Sequence, residues 1–426
     1  MVKKVSKSQK AAWWKRLGAG LVTGAADDDP SGVATYSQVG AKFGYAMLWI
    51  VFLTIPLMIA IQMVSARIGR VCGRGLADTL VRNFPKPVVW TLVALLTVAN
   101  VINIGADLAA MGAAVRLLIG GPKLLYALLF AVISTGLQVY LSFERYAPIL
   151  KVMSLSLFTY VATVFVVHVP WGRALQQVVI PHLQWNTDYL TGIVAVLGTT
   201  ISPYLFCWQA AQEVEEIRQS DERKALRNAS RQAPDALRRI AMDTSVGMIF
   251  SNVIAFFMML TTAAVLNAHG KTDIQSASDA AEALRPLAGR FAFILFSMGI
   301  ASTGLLAVPI LAGATAFAVA GAAKAPYGLE RKPGKAKLFY GVLVGAMAAG
   351  AALTFSPLDP IKALYWSAVV NGVCAVPLMA AIMTVARRQQ TMGKHAVRGW
   401  LLMGGWIATG VMGVAAIVMF ATLGKG

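Results

Sequence analysis

Charged side chains are scarce in this chain. Only 13% of its 426 residues are Asp, Glu, Lys or Arg, while 57% are hydrophobic, a balance that excludes a soluble globular protein of this size. Acid is scarcer than base, 19 residues against 38, and the net charge of +19 would suit nucleic acid if it were gathered on one face. It is instead distributed to alternate loops, so nucleic acid is excluded as a partner. Cysteine is almost missing. Cys72, Cys207 and Cys374 have no paired spacing, which excludes a disulfide framework and a cysteine-based zinc site and leaves them as packing residues. The four histidines, His168, His182, His269 and His395, fall in loops or at the ends of apolar runs. With no His-Glu-x-x-His helix and no Gly-x-Ser-x-Gly elbow, the chain is not expected to be an enzyme.

Long apolar runs are abundant. Eleven reach spanning length, at 17–41, 45–67, 88–115, 123–142, 146–169, 190–211, 242–266, 291–320, 338–355, 361–386 and 399–422, so the expected fold class is an all-α polytopic membrane protein with eleven transmembrane helices. Basic residues gather at the N-terminus (Lys3, Lys4, Lys7, Lys10) and after the second (Arg67, Arg70), sixth (Arg238, Arg239), eighth (Lys332) and tenth (Arg387) runs. By the positive-inside rule that side is the cytoplasm, with the C-terminus outside, and the expected location is the plasma membrane, the inner membrane of a bacterium. Trp13 and Trp14 beside Lys15 and Arg16 read as an interfacial anchor. The first run, interrupted by acid and without a small-residue cleavage site, does not read as a removable signal peptide.

That interruption is the segment Gly24-Ala-Ala-Asp-Asp-Asp-Pro-Ser-Gly32. A charged side chain near the bilayer centre costs about 2.5–3.5 kcal/mol on insertion scales, so carboxylates there point to an ion site or pathway. Proline removes a backbone donor and glycine is a poor helix former, so the helix is expected to break at Pro30 and free carbonyls beside the acids. Five runs later Gly198-Thr-Thr-Ile-Ser-Pro-Tyr204 carries a second set of breakers. Two five-span halves in opposite orientation, each opening on a broken helix, build a midplane site in several secondary transporters; the alternative is two unrelated proline kinks. The repeat reading gives a single transporter domain: a basic N-terminus at 1–16, a first repeat at 17–169, a second at 190–386 and an eleventh span at 399–422. The unwound segments would offer the Asp29 carboxylate, the Ala26 and Thr199 carbonyls and the Ser202 hydroxyl, unless Ser202 bonds back to its own helix. An all-oxygen set with few protein ligands suits a hard, partly hydrated divalent cation.

With these residues in view the chain resembles the Nramp family of divalent metal transporters over nearly its whole length. The resemblance rests on Asp29-Pro30-Ser31-Gly32 where the family has Asp-Pro-Gly-Asn, and on Ile201-Ser202-Pro203-Tyr204 where it has a Val-Met-Pro-His-like motif. Supporting matches are Gln62-Met-Val-Ser-Ala-Arg-Ile-Gly69, Ala106-Asp107-Leu108-Ala109, Asp243-Thr-Ser-Val-Gly247 with Ser251-Asn252, and Ala280-Ala-Glu-Ala-Leu-Arg-Pro-Leu287. It implies a LeuT-like 5+5 inverted repeat with broken first and sixth helices. Where the family has an asparagine amide and a methionine sulfur as ligands, this chain has Gly32 and Ser202, so the expected site is harder and roomier, with Gly32 giving space for hydration. The family's span-six histidine is Tyr204 and its span-three glutamate is Ala110, which leaves Asp107 as the remaining carboxylate there, with Asp28 and Tyr204 as further candidates on a proton or ion pathway.

This pattern is similar to that of the Nramp-related magnesium transporters. The expected function is import of Mg²⁺, with Mn²⁺ also accepted, by alternating access with weak or no proton coupling. One alternative is a proton-coupled Mn²⁺ or Fe²⁺ importer; another keeps the fold but carries an organic solute. Asp107 is either a relay or the partner of a basic residue. Asp27 and Asp28 either draw cations along the entry path or pair with Arg or Lys. Asn252 and Asn371 either add oxygens or serve as interhelical hydrogen-bond glue, and Cys207 is read as packing. No resident cofactor is expected. The expected partners are the cation substrate and the lipid bilayer; the oligomeric state is open, a monomer being compatible with the sequence.

Overall fold

The computed structural model describes residues 23–24, 26–140, 152, 155–220, 222–357 and 359–422. Trp13, Trp14 and the N-terminal basic residues lie outside them. Among the described residues all regular structure is helical.

The run expected at 17–41 is two pieces. Thr23, Gly24, Ala26 and Asp27 are helical, Asp28 and Asp29 are not, and α1 (Pro30–Phe43) begins anew. Proline therefore starts a helix here rather than ending one: at the first helical position its missing N–H is no loss and its fixed φ is already helical. After a turn at Gly44–Met47 come α2 (Leu48–Cys72), α3 (Lys86–Ile119) and α4 (Lys123–Tyr140). Of the run expected at 146–169 the described helix is α5 (Phe158–Val164), much of the remainder lying outside the described residues. The sixth run repeats the first: α6 (Thr187–Thr200) stops, Ile201 and Ser202 are not helical, and α7 (Pro203–Arg218) restarts on Pro203. Then follow α8 (Ala233–Val265), α9 (Ala292–Ala322), α10 (Lys337–Leu353), α11 (Pro360–Arg387) and α12 (Trp400–Thr422).

Eight stretches of the described residues are long and apolar enough to cross a membrane, against the eleven expected. The difference has three sources. α1 and α2 run together as Pro30–Cys72, α10 is 17 residues long, and the α5 region is described only in part. Large apolar side chains on the outer faces of α4 and α12, such as Leu125, Val132, Val414 and Ile417, are exposed, as acyl-chain contact requires.

The two breaks are seated by backbone contact. A Cβ added to Gly24 would overlap the Gly247 carbonyl of α8, and one on Gly198 would overlap the Ala368 carbonyl of α11, so only glycine permits either approach. Both ends of the bundle are tied. At the Phe43 end Lys42 pairs with Asp188 at 2.9 Å, the Gln38 side-chain amide donates to Asp273 at 3.2 Å, and the Ile274 N–H donates to the Gln38 Oε1 at 2.9 Å. At the Arg218 end Arg239 grips Glu213 at 2.7 Å and 2.9 Å, while Arg218 pairs with Glu330 at 3.3 Å.

Candidate functional site

Asp29 stands at the centre of the first break. Its backbone is extended (φ −67°, ψ 171°), and it caps α1: Oδ1 accepts the Gly32 N–H at 2.7 Å and the Ser31 hydroxyl at 2.6 Å. An aspartate followed by proline is a strong N-cap pairing, and the helix dipole favours its negative charge. The other oxygen, Oδ2, faces the rest of the molecule. It accepts the Asn103 amide of α3 at 3.1 Å and the Tyr204 hydroxyl of α7 at 3.4 Å. Asn103 is itself fixed, because its Oδ1 accepts the Ser367 hydroxyl of α11 at 2.7 Å. The Tyr204 hydroxyl also donates to the Ala26 carbonyl at 3.1 Å. Asp29, Ala26 and Tyr204 thus meet across both breaks, and all three are buried.

The residues expected from the end of α6 are arranged differently. The Ser202 hydroxyl donates to the Gly198 and Thr199 carbonyls, both at 2.8 Å, so it follows the back-bonding alternative and occupies one lone pair of the Thr199 carbonyl. Gly32 does not open a roomy void either. A Cβ there would come within 3.2 Å of both the Asp27 carbonyl and the Thr199 hydroxyl oxygen, so Thr199 fills the space that a larger side chain would take.

Asp27 and Asp28 converge on α8 instead of on a basic residue. The Ser251 hydroxyl lies 2.5 Å from the Asp27 Oδ2 and 3.2 Å from the Asp28 Oδ1, and the second oxygen of Asp27 has no hydrogen-bond partner. Asp107 lies one turn beyond Asn103 on α3, buried close to Asp29 and the Ser31 amide, and neither of its oxygens completes a hydrogen bond. Among the described residues it has no ion-pair partner. Asn252 accepts from the Thr54 hydroxyl and donates to the Met248 carbonyl, both at 2.9 Å, which is interhelical glue. Both polar atoms of the Asn371 amide are buried without a partner, and Cys207 is a buried packing residue.

The sequence reading did not select Asn103 or Ser367, and it named Ser251 only within a motif, without a role. A signal for Asn103 was present: Asn100, Asn103 and Asp107 follow one another at helical spacing in an otherwise apolar run, which places three polar groups on one face. Of four buried carboxylates, three are met by hydroxyl or amide donors and none by a buried cation among the described residues, and when ionised they carry negative charge that a positive ion can balance. The donor atoms gathered at the break are oxygens, the chemistry of a hard or borderline divalent cation.

A family model described as "Nramp: Natural resistance-associated macrophage protein-like" matches residues 20–422. A protein of Klebsiella pneumoniae (strain 342) named "Divalent metal cation transporter MntH" is 26% identical over 405 residues, covering 93% of this chain and 91% of its own. A protein of the same name from Yersinia pestis (strain Pestoides F) is 30% identical over 297 residues, 68% of each chain. Among solved structures, the Eremococcus coleocola manganese transporter superposes with a TM-score of 0.72 at 16% identity, over 97% of this chain and 88% of its own. A nucleobase-cation-symport-1 family transporter shares the fold less closely, with a TM-score of 0.59 at 13% identity, over 96% of this chain and 93% of that one. With the match running through both breaks and from near the start of the described residues to the end of α12, the chain belongs to the Nramp family.

Proposed function

We propose that this chain carries divalent metal cations across the membrane by alternating access, with Mn²⁺ as an accepted ion, through the site between the two breaks. The observation that carries the reading is the meeting of the Asp29 carboxylate and the Ala26 carbonyl, buried about one polar hydroxyl, between two tied ends. Asp29 supplies the charge that attracts the ion. Ala26 supplies a carbonyl, and the second lone pair of the Thr199 carbonyl remains available. Import into the cytoplasm across a bacterial inner membrane, with the Arg218 end inside, accords with the basic loops. The residues 17–169 and 190–386 would act as inverted halves that rock about the fixed site.

Manganese takes precedence over the magnesium preference that Gly32 and Ser202 suggested. The curated relatives carry the general divalent-cation name, and the space beside Gly32 is filled by Thr199 rather than left for hydration. Asp107, with its unpartnered oxygens, is the candidate proton acceptor if uptake is proton-coupled. Four buried carboxylates argue against an anionic organic solute.

The test is Mn²⁺ uptake into proteoliposomes holding the full chain, with Mg²⁺ or Ca²⁺ in excess as competitor, a pH dye inside, and Asp29→Ala beside the wild type. Uptake lost in the variant supports the site. Undiminished uptake by Asp29→Ala refutes it, strong competition by Mg²⁺ restores the magnesium preference, and acidification of the lumen with uptake identifies proton coupling.

A further inference from the structure

The hydroxyl of Tyr204 sits where a ligand belongs. It lies 3.1 Å from the Ala26 carbonyl oxygen and 3.4 Å from the Asp29 Oδ2. Neighbouring oxygens around one octahedral cation, each about 2.0–2.6 Å from the metal, are roughly 2.8–3.7 Å apart. Both distances fall inside that interval. We infer that Tyr204 is a direct oxygen ligand of the transported cation, supplied by the first turn of α7 in place of the Ser202 side chain. The inference rests on the transport reading above and deepens it.

Three features favour ligation over simple displacement of the phenol by the ion. Tyr204 is the second residue of α7, held by Pro203 before it, and its side chain is fully buried. Close-packed interiors do not let such a ring swing aside without repacking. Its hydroxyl proton, in contrast, turns about a single bond, and turning it exposes a lone pair to the space between Ala26 and Asp29. The Asp27 and Asp107 carboxylates belong to the same buried cluster as Asp29, and one oxygen of Asp27 and both of Asp107 are without hydrogen-bond partners. The Ser202 hydroxyl has no comparable freedom, being bonded to the Gly198 and Thr199 carbonyls of its own helix. A phenol oxygen is also a hard ligand, which fits an otherwise all-oxygen set.

The experiment is Mn²⁺ binding to the purified full chain, read by electron paramagnetic resonance, with the number of water molecules on the bound ion counted in ¹⁷O-labelled water. Wild type, Tyr204→Phe and Asp29→Ala are compared, and folding is checked by thermal melting. Tyr204→Phe keeps the ring and removes the oxygen, so it is expected to bind Mn²⁺ about tenfold more weakly, with one additional water on the ion. A role in packing alone would leave the water count unchanged. If Tyr204→Phe binds as tightly as wild type or more tightly, with the same water count, the hydroxyl merely holds the site until the ion arrives and the ligand assignment is overturned, while loss of binding in Asp29→Ala still upholds the transport site. If Asp29→Ala binds like wild type, the site itself is refuted and the assignment falls with it.

Discussion

Replacing Asn103 by leucine removes the one amide that reaches across from α3 to the Asp29 Oδ2, at 3.1 Å. Ser367, which donates to Asn103, keeps a second acceptor in the Leu364 carbonyl at 2.7 Å, so the change strands no hydroxyl and the helix around it should fold. A hydrogen bond to a charged group contributes about 1.5–3 kcal/mol, equivalent to roughly 10- to 150-fold in an equilibrium constant. Part of that acts in the ion-free state as well. The expected effect on cation affinity is therefore near the low end, about tenfold, the lower bound for losing an outer partner of a metal ligand. Mn²⁺ uptake into proteoliposomes is the assay, and the expectation is a KM about tenfold higher with a maximal rate reduced far less. A KM within twofold of wild type, in a variant that melts normally, would show that Asn103 does not orient the carboxylate and would refute the reasoning.

Two further variants test the frame that holds the site. Gly198→Ala forces a methyl into the Ala368 carbonyl and is expected to cost about 1–3 kcal/mol, seen as a lower melting temperature and loss of uptake, whereas Gly136→Ala, with nothing within 4 Å of the new methyl, should leave both unchanged. Arg239→Gln leaves the Glu213 side chain, only 1% exposed, without its paired charge, and breaking such a pair costs about 3–5 kcal/mol. The double variant Arg239→Gln/Glu213→Gln should recover most of the loss in melting temperature; equal losses in single and double variants would contradict the pairing.

Much of the architecture is legible in the chain because water and lipid sort residues coarsely. Apolar runs mark the membrane, and a proline marks each break, behind the capping side chain of Asp29 at the first and behind Ser202 at the second. The run at 190–211 illustrates the limit: its apolar signal fades near its end, yet α7 continues to Arg218 because Glu213 and Glu215 are buried beside basic partners. The site was legible in its charge and less so in its hydrogen bonds. Asp29 announces itself by the cost of burying a carboxylate. The orientation of the Ser202 hydroxyl depends on a competition between its own helix and the opposite break, and the occupancy of the space at Gly32 depends on a threonine more than 160 positions away. Asn103 was visible only to a search for polar spacing within an apolar run.

The two oxygens of Asp29 divide their work. One is committed to the first turn of α1 through Gly32 and Ser31, and the other points across the breaks toward Ala26 and Tyr204. An ion held by the second oxygen is thus tethered to the start of a helix through a single carbon atom. On the proposed transport reading, any tilt of α1 would drag that oxygen with it, so the helix would not swing without loosening a bound ion, and an ion would not settle without drawing the helix into place. Motion and release would then be two descriptions of one displacement.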